Sequence, residues 1–240
     1  MHVPDGFIDV PVSLAAGAVA AGAIVVSLRG ARRELDERTA PLAALVAVFV
    51  FAAQMLNFPV LAGTSGHLLG GALAAVLVGP FTASLVISIV LFVQCLFFAD
   101  GGMSALGVNI VDMAVVGVAV GWCAFVALRA VLPKTQSSLL ASSAVAAFLS
   151  VPAAALMFSV FYALGGTSSV PAGTVTVAVI GVHVPIGLGE AVITAVTVAT
   201  VLRVRPDLVR GAQSWLRTRR QASLGHGVDT PDNSRTGIAA

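Results

Sequence analysis

The feature that most constrains this chain is a succession of apolar stretches, each close to the length that crosses a lipid bilayer. A transmembrane helix needs about 20 apolar residues. Mean hydropathy is +1.00 and only 10% of the residues are charged, which excludes a soluble domain and predicts an integral membrane protein. The apolar stretches cover roughly 10–28, 40–57, 60–79, 81–99, 106–128, 138–164 and 175–202.

The third stretch, 60–79, decides the topology, because its glycines predict that its first part is not helical. If it crosses, every Lys and Arg falls on one side of the membrane. If it dips in and returns, Arg129 and Lys134 lie on the face opposite Arg29. The positive-inside rule favours the crossing. We therefore predict an all-α bundle of seven transmembrane helices, N-terminus outside and C-terminus cytoplasmic, partly unwound near 57–71.

Composition divides the chain into three parts. Residues 1–203 form the predicted membrane domain. Residues 204–221 mix Leu and Trp with arginines, as expected of a basic juxtamembrane segment on the cytoplasmic surface. Residues 222–240 are polar, and we expect a disordered tail. Acidic residues precede the first apolar stretch, unlike a signal peptide, so we expect Met1 to be retained.

The N-terminus has the residues of a metal chelate. The Met1 amine, the backbone nitrogen of His2 and its imidazole Nδ1 can close two fused rings around one ion. Such a chelate is nearly planar, which suits Ni(II), Cu(II) or planar Co(II) better than tetrahedral Zn(II). The alternative is a solvated terminal histidine. The Gly-rich run places His67 on the same outer side, and we expect it to supply the fourth nitrogen.

Other polar groups inside the apolar stretches are candidates for function, because they are costly in a membrane. Asp100, Asn109 and Asp112 are expected to bond freed backbone groups, with metal ligation as the alternative. His183 and Glu190 share a helix face, two turns apart, on a helix that Pro185 and nearby glycines should loosen. They form either a hydrogen-bond network, a metal relay or a proton-linked pair, and the last would suit a stand-alone ion-coupled metal carrier.

An enzyme is the alternative of another class. The sequence around Ser65 matches G-x-S-G, and with His183 as base it is similar to the dyad of rhomboid intramembrane serine proteases. A four-residue motif in a Gly-rich chain is weak support for this function. No G-x-x-x-x-G-K-[ST] motif occurs, so uphill transport would need an ion gradient or partner ATPases. We expect no catalytic residue and no cofactor.

Small residues spaced four apart mark the first apolar stretch. Helices with such faces approach other helices closely in lipid. They pack either within this bundle or against another membrane subunit. The residues are Ala16, Ala18, Ala20 and Gly22.

Several ordered motifs together resemble one family. They are the opening Met-His-Val-Pro-Asp-Gly-Phe, Ala-Gln-Met-Leu-Asn-Phe-Pro at 53–59, Gly-Thr-Ser-Gly-His-Leu-Leu-Gly-Gly at 63–71, Phe-Ala-Asp-Gly-Gly at 98–102 and the segment 183–190. Over about 1–203 the chain is similar to the CbiM/NikM family, the substrate-binding membrane subunits (S components) of cobalt and nickel energy-coupling-factor transporters.

The resemblance implies seven transmembrane helices with the N-terminal tip inserted to bind Ni(II) or Co(II). It implies Met1, His2 and His67 as metal ligands, with Asn57 and Ser65 as supporting contacts. Asp5 is expected near them. The implied partners are a transmembrane coupling (T) subunit, two cytoplasmic ABC ATPases that hydrolyse the ATP, and often a small accessory membrane subunit.

Overall fold

The structure, a computed structural model, is a helical bundle and describes residues 2–37, 39–59 and 65–218. A short antiparallel pairing of β1 (Phe58–Pro59) with β2 (Ser65–Gly66) lies between the second and third helices. The helices are α1 (Val10–Ala31), α2 (Ala40–Gln54), α3 (Gly71–Val78), α4 (Pro80–Phe98), α5 (Leu106–Val131), α6 (Gln136–Gly165) and α7 (Ala172–Val204).

Five helices in the described ranges, α1, α4, α5, α6 and α7, are long and apolar enough to cross a membrane. The helix α2 has 15 residues, and α3 has only 8. Within the predicted third span, 60–79, the described residues 65–70 are not helical, as the glycines predict, and α3 begins only at Gly71. The number of crossings stays a prediction.

The segment between α2 and α4 nevertheless leads from one end of the bundle to the other. At one end Asn57, just after α2, donates a 3.0 Å hydrogen bond to Asp100, which follows α4. At the opposite end, where α4 begins, the carboxylate of Glu34 accepts hydrogen bonds from Thr82 N at 2.7 Å and Phe81 N at 3.4 Å. This path is the one expected of a crossing segment.

The centre of the bundle is α3, in which every residue is buried. Large apolar side chains elsewhere point outward, for example Leu14 at 70%, Phe97 at 71% and Val177 at 74% exposure. In water such a surface would be unfavourable, but in lipid it faces hydrocarbon. The bundle is thus packed around α3 and apolar on its outside.

Two helices depart from simple expectations. Within α5, residues Ile110–Gly117 are π-helical, a local widening that often accompanies functional sites. The expectation that Pro185 and its neighbouring glycines loosen α7 was wrong, since α7 continues without a break from Ala172 to Val204. Packing against α6 over much of its length holds it.

The small residues of α1 divide between two faces. Ala16 and Ala20 are buried, and Gly107 of α5 packs directly against the backbone of Gly17. They contact the chain's own helices and are not available to another subunit. Ala18 and Gly22 are exposed and stay the candidates for a subunit contact.

The segment after α7 folds back onto the bundle. Val209 and Ala212 are fully buried, and Trp215 is 9% exposed. Two short 3₁₀ turns precede a helical stretch at 213–218. The predicted disordered tail, 222–240, lies outside the described residues.

Candidate metal-binding site

The N-terminal segment is folded into one end of the bundle and not frayed. Asn109 clamps the backbone of Val3 from both sides, accepting from Val3 N at 2.8 Å and donating to Val3 O at 3.3 Å. Gly102 N donates to the same carbonyl at 2.8 Å. The expectation that Asn109 bonds freed backbone groups is met. These bonds fix the residue that follows His2.

Asp5 is the second anchor of the N-terminal segment. Its Oδ1 accepts hydrogen bonds from Ser104 N at 2.7 Å and Ser104 Oγ at 2.6 Å. These two bonds lower the pKa of Asp5 below its ordinary value. Further along, Thr167 Oγ1 donates to Gly6 O at 2.7 Å. The turn that bears His2 is therefore tied to the loops before α5 and before α7.

His2 is buried, with 4% of its surface exposed, and its ring nitrogens are distinguishable. Gln94 Oε1 lies 3.2 Å from Nε2, and the amide nitrogen of Gln94 faces Met55 Sδ at 3.9 Å. An amide oxygen can only accept, so Nε2 carries the proton. The lone pair is then on Nδ1, the nitrogen that the predicted chelate uses.

Asp100 faces that lone pair. Its Oδ1 lies 3.0 Å from His2 Nδ1, but the contact lacks the angles of a hydrogen bond. The contact is therefore electrostatic. A carboxylate oxygen and a nitrogen lone pair repel at this distance unless a proton or a cation stands between them. The pair thus favours a positive charge at Nδ1.

Burial and charge set opposing trends at this pair. Burial lowers the pKa of His2 below 6.5, and Asp100 partly offsets this effect. Burial raises the pKa of Asp100, but His2 and the hydrogen bond from Asn57 outweigh it, so the net shift is downward. A neutral imidazole beside an ionised carboxylate is a suitable pair for a divalent cation.

His67 is fully buried against His2. The two rings are stacked, with centroids 4.3 Å apart and an angle of 20° between their planes. Nδ1 of His67 donates to Leu68 O at 2.8 Å, which leaves a lone pair on Nε2. Nε2 has no hydrogen-bond partner among the described residues. The two histidines lie side by side, but stacked rings do not aim at one ion, and their joint binding of a metal stays a prediction that requires the His67 ring to turn.

Two buried side chains hold the loop that carries His67 by hydrogen bonds to its backbone. Glu190 of α7 accepts from Leu69 N at 2.6 Å and Gly70 N at 2.8 Å. Gln54 of α2 donates to Leu69 O at 2.8 Å. These bonds satisfy the backbone of an irregular segment inside the bundle, where water is not available.

The structure does not pair His183 with Glu190. Nδ1 of His183 donates to Val179 O at 2.7 Å, one turn earlier on α7, whereas Glu190 bonds the loop. In the described ranges His183 Nε2 and both carboxylate oxygens of Asp112 are buried without a hydrogen-bond partner. Asp112 therefore does not bond freed backbone groups there, contrary to expectation.

Parts of the predicted site lie outside the described residues, namely Met1, the side chain of Ser65 and residues 60–64. Residues 2–37, 39–59 and 65–218 contain no group of three or more His, Cys, Asp or Glu that could hold a metal ion. The predicted chelate differs from such a group, because two of its nitrogens come from the Met1 amine and the backbone of His2.

Sequence reasoning missed Gln94 and Gln54. Both are fully buried amides in otherwise apolar helices. The same rule that singled out Asp112, that a polar group within a membrane span needs a partner, would have found them. Their orienting roles depend on contacts with distant residues and had no sequence signal.

The fold and these contacts define a multi-pass membrane protein that buries two histidines, one of them on an inserted segment that begins at His2 in the described residues. A family model described as the cobalt uptake substrate-specific transmembrane region, CbiM, matches residues 2–208. The chain belongs to the CbiM family. It is a multi-pass protein of the prokaryotic cell membrane.

Relatives and solved structures agree with this assignment. A putative fused nickel transport protein, NikMN, of Archaeoglobus fulgidus is 38% identical over 87% of this chain and 68% of its own length. The cobalt transport protein CbiM of Geobacter sulfurreducens is 31% identical over 87% of this chain and 61% of its own length. A crystal structure of a transition metal transporter matches with a TM-score of 0.78 and 28% identity, covering 85% of this chain and 93% of the other.

Proposed function

We propose that this chain is the substrate-binding membrane component of an energy-coupling-factor importer that captures Ni(II) or Co(II) at the outer face. The observation that carries the proposal is the His2 imidazole, buried with its Nδ1 lone pair beside Asp100 and its ring against His67. Nickel and cobalt transport in the named relatives supports the choice of cargo.

In this proposal the Met1 amine, the backbone nitrogen and Nδ1 of His2, and Nε2 of His67 surround the ion. Asp100 supplies negative charge next to it and favours capture of a cation. Gln94 holds the His2 tautomer by accepting from Nε2, a role common for partners of metal-bound histidines. Nickel and cobalt both suit such nitrogen donors, so the preference between them is a matter for measurement.

Transport requires partners in this proposal. A coupling subunit and two cytoplasmic ABC ATPases supply energy, and a small accessory membrane subunit joins them in some assemblies. The bundle has seven crossings with the N-terminus outside. Release to the inside needs a second conformation with lower affinity for the ion. A change that turns the His67 ring away from His2 would remove one ligand.

The first experiment tests the amine ligand. Two glutamines are inserted between Met1 and His2, and a chain extended at the C-terminus by the same two residues is the control. Isothermal titration of both purified proteins with Ni(II), Co(II) and Zn(II) measures the site and its preference. The insertion should abolish tight binding of Ni(II) and Co(II), because it separates the amine from Nδ1. Unchanged binding would contradict the chelate.

The second experiment separates the importer from a stand-alone carrier. The chain is expressed without ATPase subunits in cells that lack other nickel uptake. The importer then accumulates no metal against a gradient. Sustained uphill uptake that depends on His183 and Glu190 would favour the carrier, although these two residues have separate hydrogen-bond partners here.

A further inference from the structure

A pocket with three arginines lies at the end of the bundle opposite His2. It has a volume of about 340 Å³ and is formed by the end of α1, the start of α4 and the segment after α7. We call it the basic pocket. Its cationic side chains are Arg29, Arg33 and Arg210, and Val26 and Phe81 form its apolar wall.

The arginines of the basic pocket are not neutralised by the carboxylate nearest to them. Glu34 also lines the pocket, but it is 8% exposed and its two oxygens accept from Thr82 N and Phe81 N. The described part of the chain contains no salt bridge to Arg29, Arg33 or Arg210. The pocket thus presents guanidinium groups that an external anion can approach.

An apolar cleft continues directly from the basic pocket. It has a volume of about 260 Å³, lies between α1, α4 and α5, and shares Val26 and Phe81 with the pocket. Ala23 and Val118 are among its other lining residues. Val26 is 55% and Phe81 40% exposed, so the cleft opens on the outer surface of the bundle. That surface is the one that contacts hydrocarbon in a membrane.

We propose that the two adjoining cavities bind one anionic phospholipid, with its phosphate in the basic pocket and an acyl chain in the cleft. One guanidinium group can donate two parallel hydrogen bonds to two oxygens of a phosphate. Basic pockets between membrane helices also bind anionic lipid headgroups. A soluble phosphate would fill only the basic pocket and would leave the apolar cleft without a role. The lipid would join α1 to α4 beside the segment after α7, far from the metal site.

Native mass spectrometry of the full chain in detergent tests the proposal. Phosphatidylglycerol and phosphatidylcholine with identical acyl chains are added, and the retained lipid is measured. Both lipids carry a phosphate, but only phosphatidylglycerol has a net negative charge to attract the three arginines, so we expect at least about a tenfold preference for it. This preference should decrease with added salt, because salt screens exposed charges. Equal retention of the two lipids by the unchanged chain would overturn the proposal.

Substitutions locate the site. The double variant Arg29→Gln/Arg33→Gln should lose the preference, whereas Arg129→Gln/Lys134→Gln, which removes equal charge outside the pocket, should keep it. In the cleft, Ala23→Leu should reduce retention of phosphatidylglycerol several-fold. Loss of preference in both double variants alike would overturn the assignment to this pocket. Variants are compared only when their thermal unfolding midpoints match that of the native chain. If a variant does not fold, the preference of the unchanged chain between the two lipids still tests the proposal.

Two further outcomes distinguish other occupants. If inorganic phosphate or glycerol 3-phosphate displaces phosphatidylglycerol at similar concentration, the site takes soluble phosphate and the lipid proposal fails. If Arg29→Gln/Arg33→Gln leaves lipid retention unchanged but prevents co-purification of a partner subunit, the pocket is a protein-docking surface, and the lipid proposal fails as well.

Discussion

At the scale of single residues, the site depends on side chains that orient the histidines. His2 and His67 have their ring nitrogens assigned by one hydrogen bond each, from Nε2 to Gln94 and from Nδ1 to Leu68 O. The remaining nitrogen of each ring carries the lone pair. In the proposed site each ligand needs the correct tautomer as well as the correct position, so we expect these hydrogen-bond partners to affect metal binding.

Glu190 is expected to act on metal binding through the His67 loop. The two carboxylate oxygens of Glu190 accept hydrogen bonds from Leu69 N and Gly70 N. Glu190→Gln removes the negative charge and leaves only one accepting oxygen. We expect Ni(II) affinity to fall about tenfold, the lower part of the range for residues that support a ligand. Isothermal titration measures it, and Glu37→Gln, at an exposed loop position, is the control. A lower unfolding temperature with unchanged affinity would show that Glu190 only stabilises the fold.

The pH dependence of metal binding should show the lowered pKa of His2. Metal binding releases the protons that the ligands carry. Because burial lowers the pKa of His2 below 6.5, this imidazole is mostly unprotonated at neutral pH and adds less than one proton to the release there. The slope of log affinity for Ni(II) against pH counts the protons released per ion bound. We therefore expect this slope to increase by one only below pH 6.5, where His2 must lose a proton to bind.

Titrations at a series of pH values above and below 6.5 check this prediction. The variant Asp100→Asn removes a group that raises the pKa of His2, so its steeper region should move to still lower pH. The same shift should appear in the imidazole NMR signals of the metal-free protein. If the slope increased and the imidazole NMR signals of His2 titrated above pH 6.5, burial would not be the dominant influence on the pKa of His2.

At the scale of elements, the short helix α3 and the loop before it form a unit that sets the depth of His67. Gly70, at the start of α3, has φ of 75°, and a Cβ there would lie 2.7 Å from Cγ2 of Val50. Only glycine adopts this conformation at little cost. The element therefore tolerates no larger residue at this position.

Gly70→Ala should lower both stability and metal affinity. The left-handed backbone alone costs about 1–2 kcal/mol, and the contact with Val50 adds to it. Gly173→Ala is the matched control, since no atom lies within 4 Å of the added Cβ and its helix favours alanine. Thermal unfolding in detergent and Ni(II) titration measure the two effects. Equal behaviour of both variants would show that the loop adapts without cost.

At the scale of the whole molecule, charge separates the two ends of the bundle. The described Lys and Arg residues lie in the last turns of α1, α5 and α7 or after them, whereas His2 lies with the loops that precede α5 and α7. The positive-inside rule then predicts that the His2 end faces outside. The same rule predicts that the segment at 65–79 crosses, since otherwise Arg33 and Lys134 would lie on opposite faces.

Cysteine labelling tests this topology. In a Cys123→Ser background, Met103→Cys, Glu37→Cys and Lys134→Cys are exposed to a membrane-impermeant maleimide in whole cells. We expect labelling at residue 103 in intact cells, and at 37 and 134 only after permeabilisation. Labelling of 37 and 134 from opposite faces would show that the third apolar stretch does not cross. Labelling of both residues in intact cells would show that the protein has the opposite orientation in the membrane.

Much of the bundle could be predicted from the sequence, because helix length and apolar content depend on local composition. The helices α1, α4, α5, α6 and α7 lie close to their predicted ranges. The third stretch was recognised as irregular from its glycines, but the eight-residue length of α3 was not predictable, since it depends on complete burial by its neighbours. The unbroken α7 likewise depends on tertiary packing that overrides Pro185.

The sequence by itself determined the membrane class, the single basic end and the two histidines, since these follow from composition and from the order of residues. Tertiary structure decided how the histidines are oriented. Gln94 reaches His2 across 92 residues, and Glu190 reaches Leu69 across 121. Hydrogen bonds have strict distances and angles, so only the packed bundle fixes which distant side chains satisfy them.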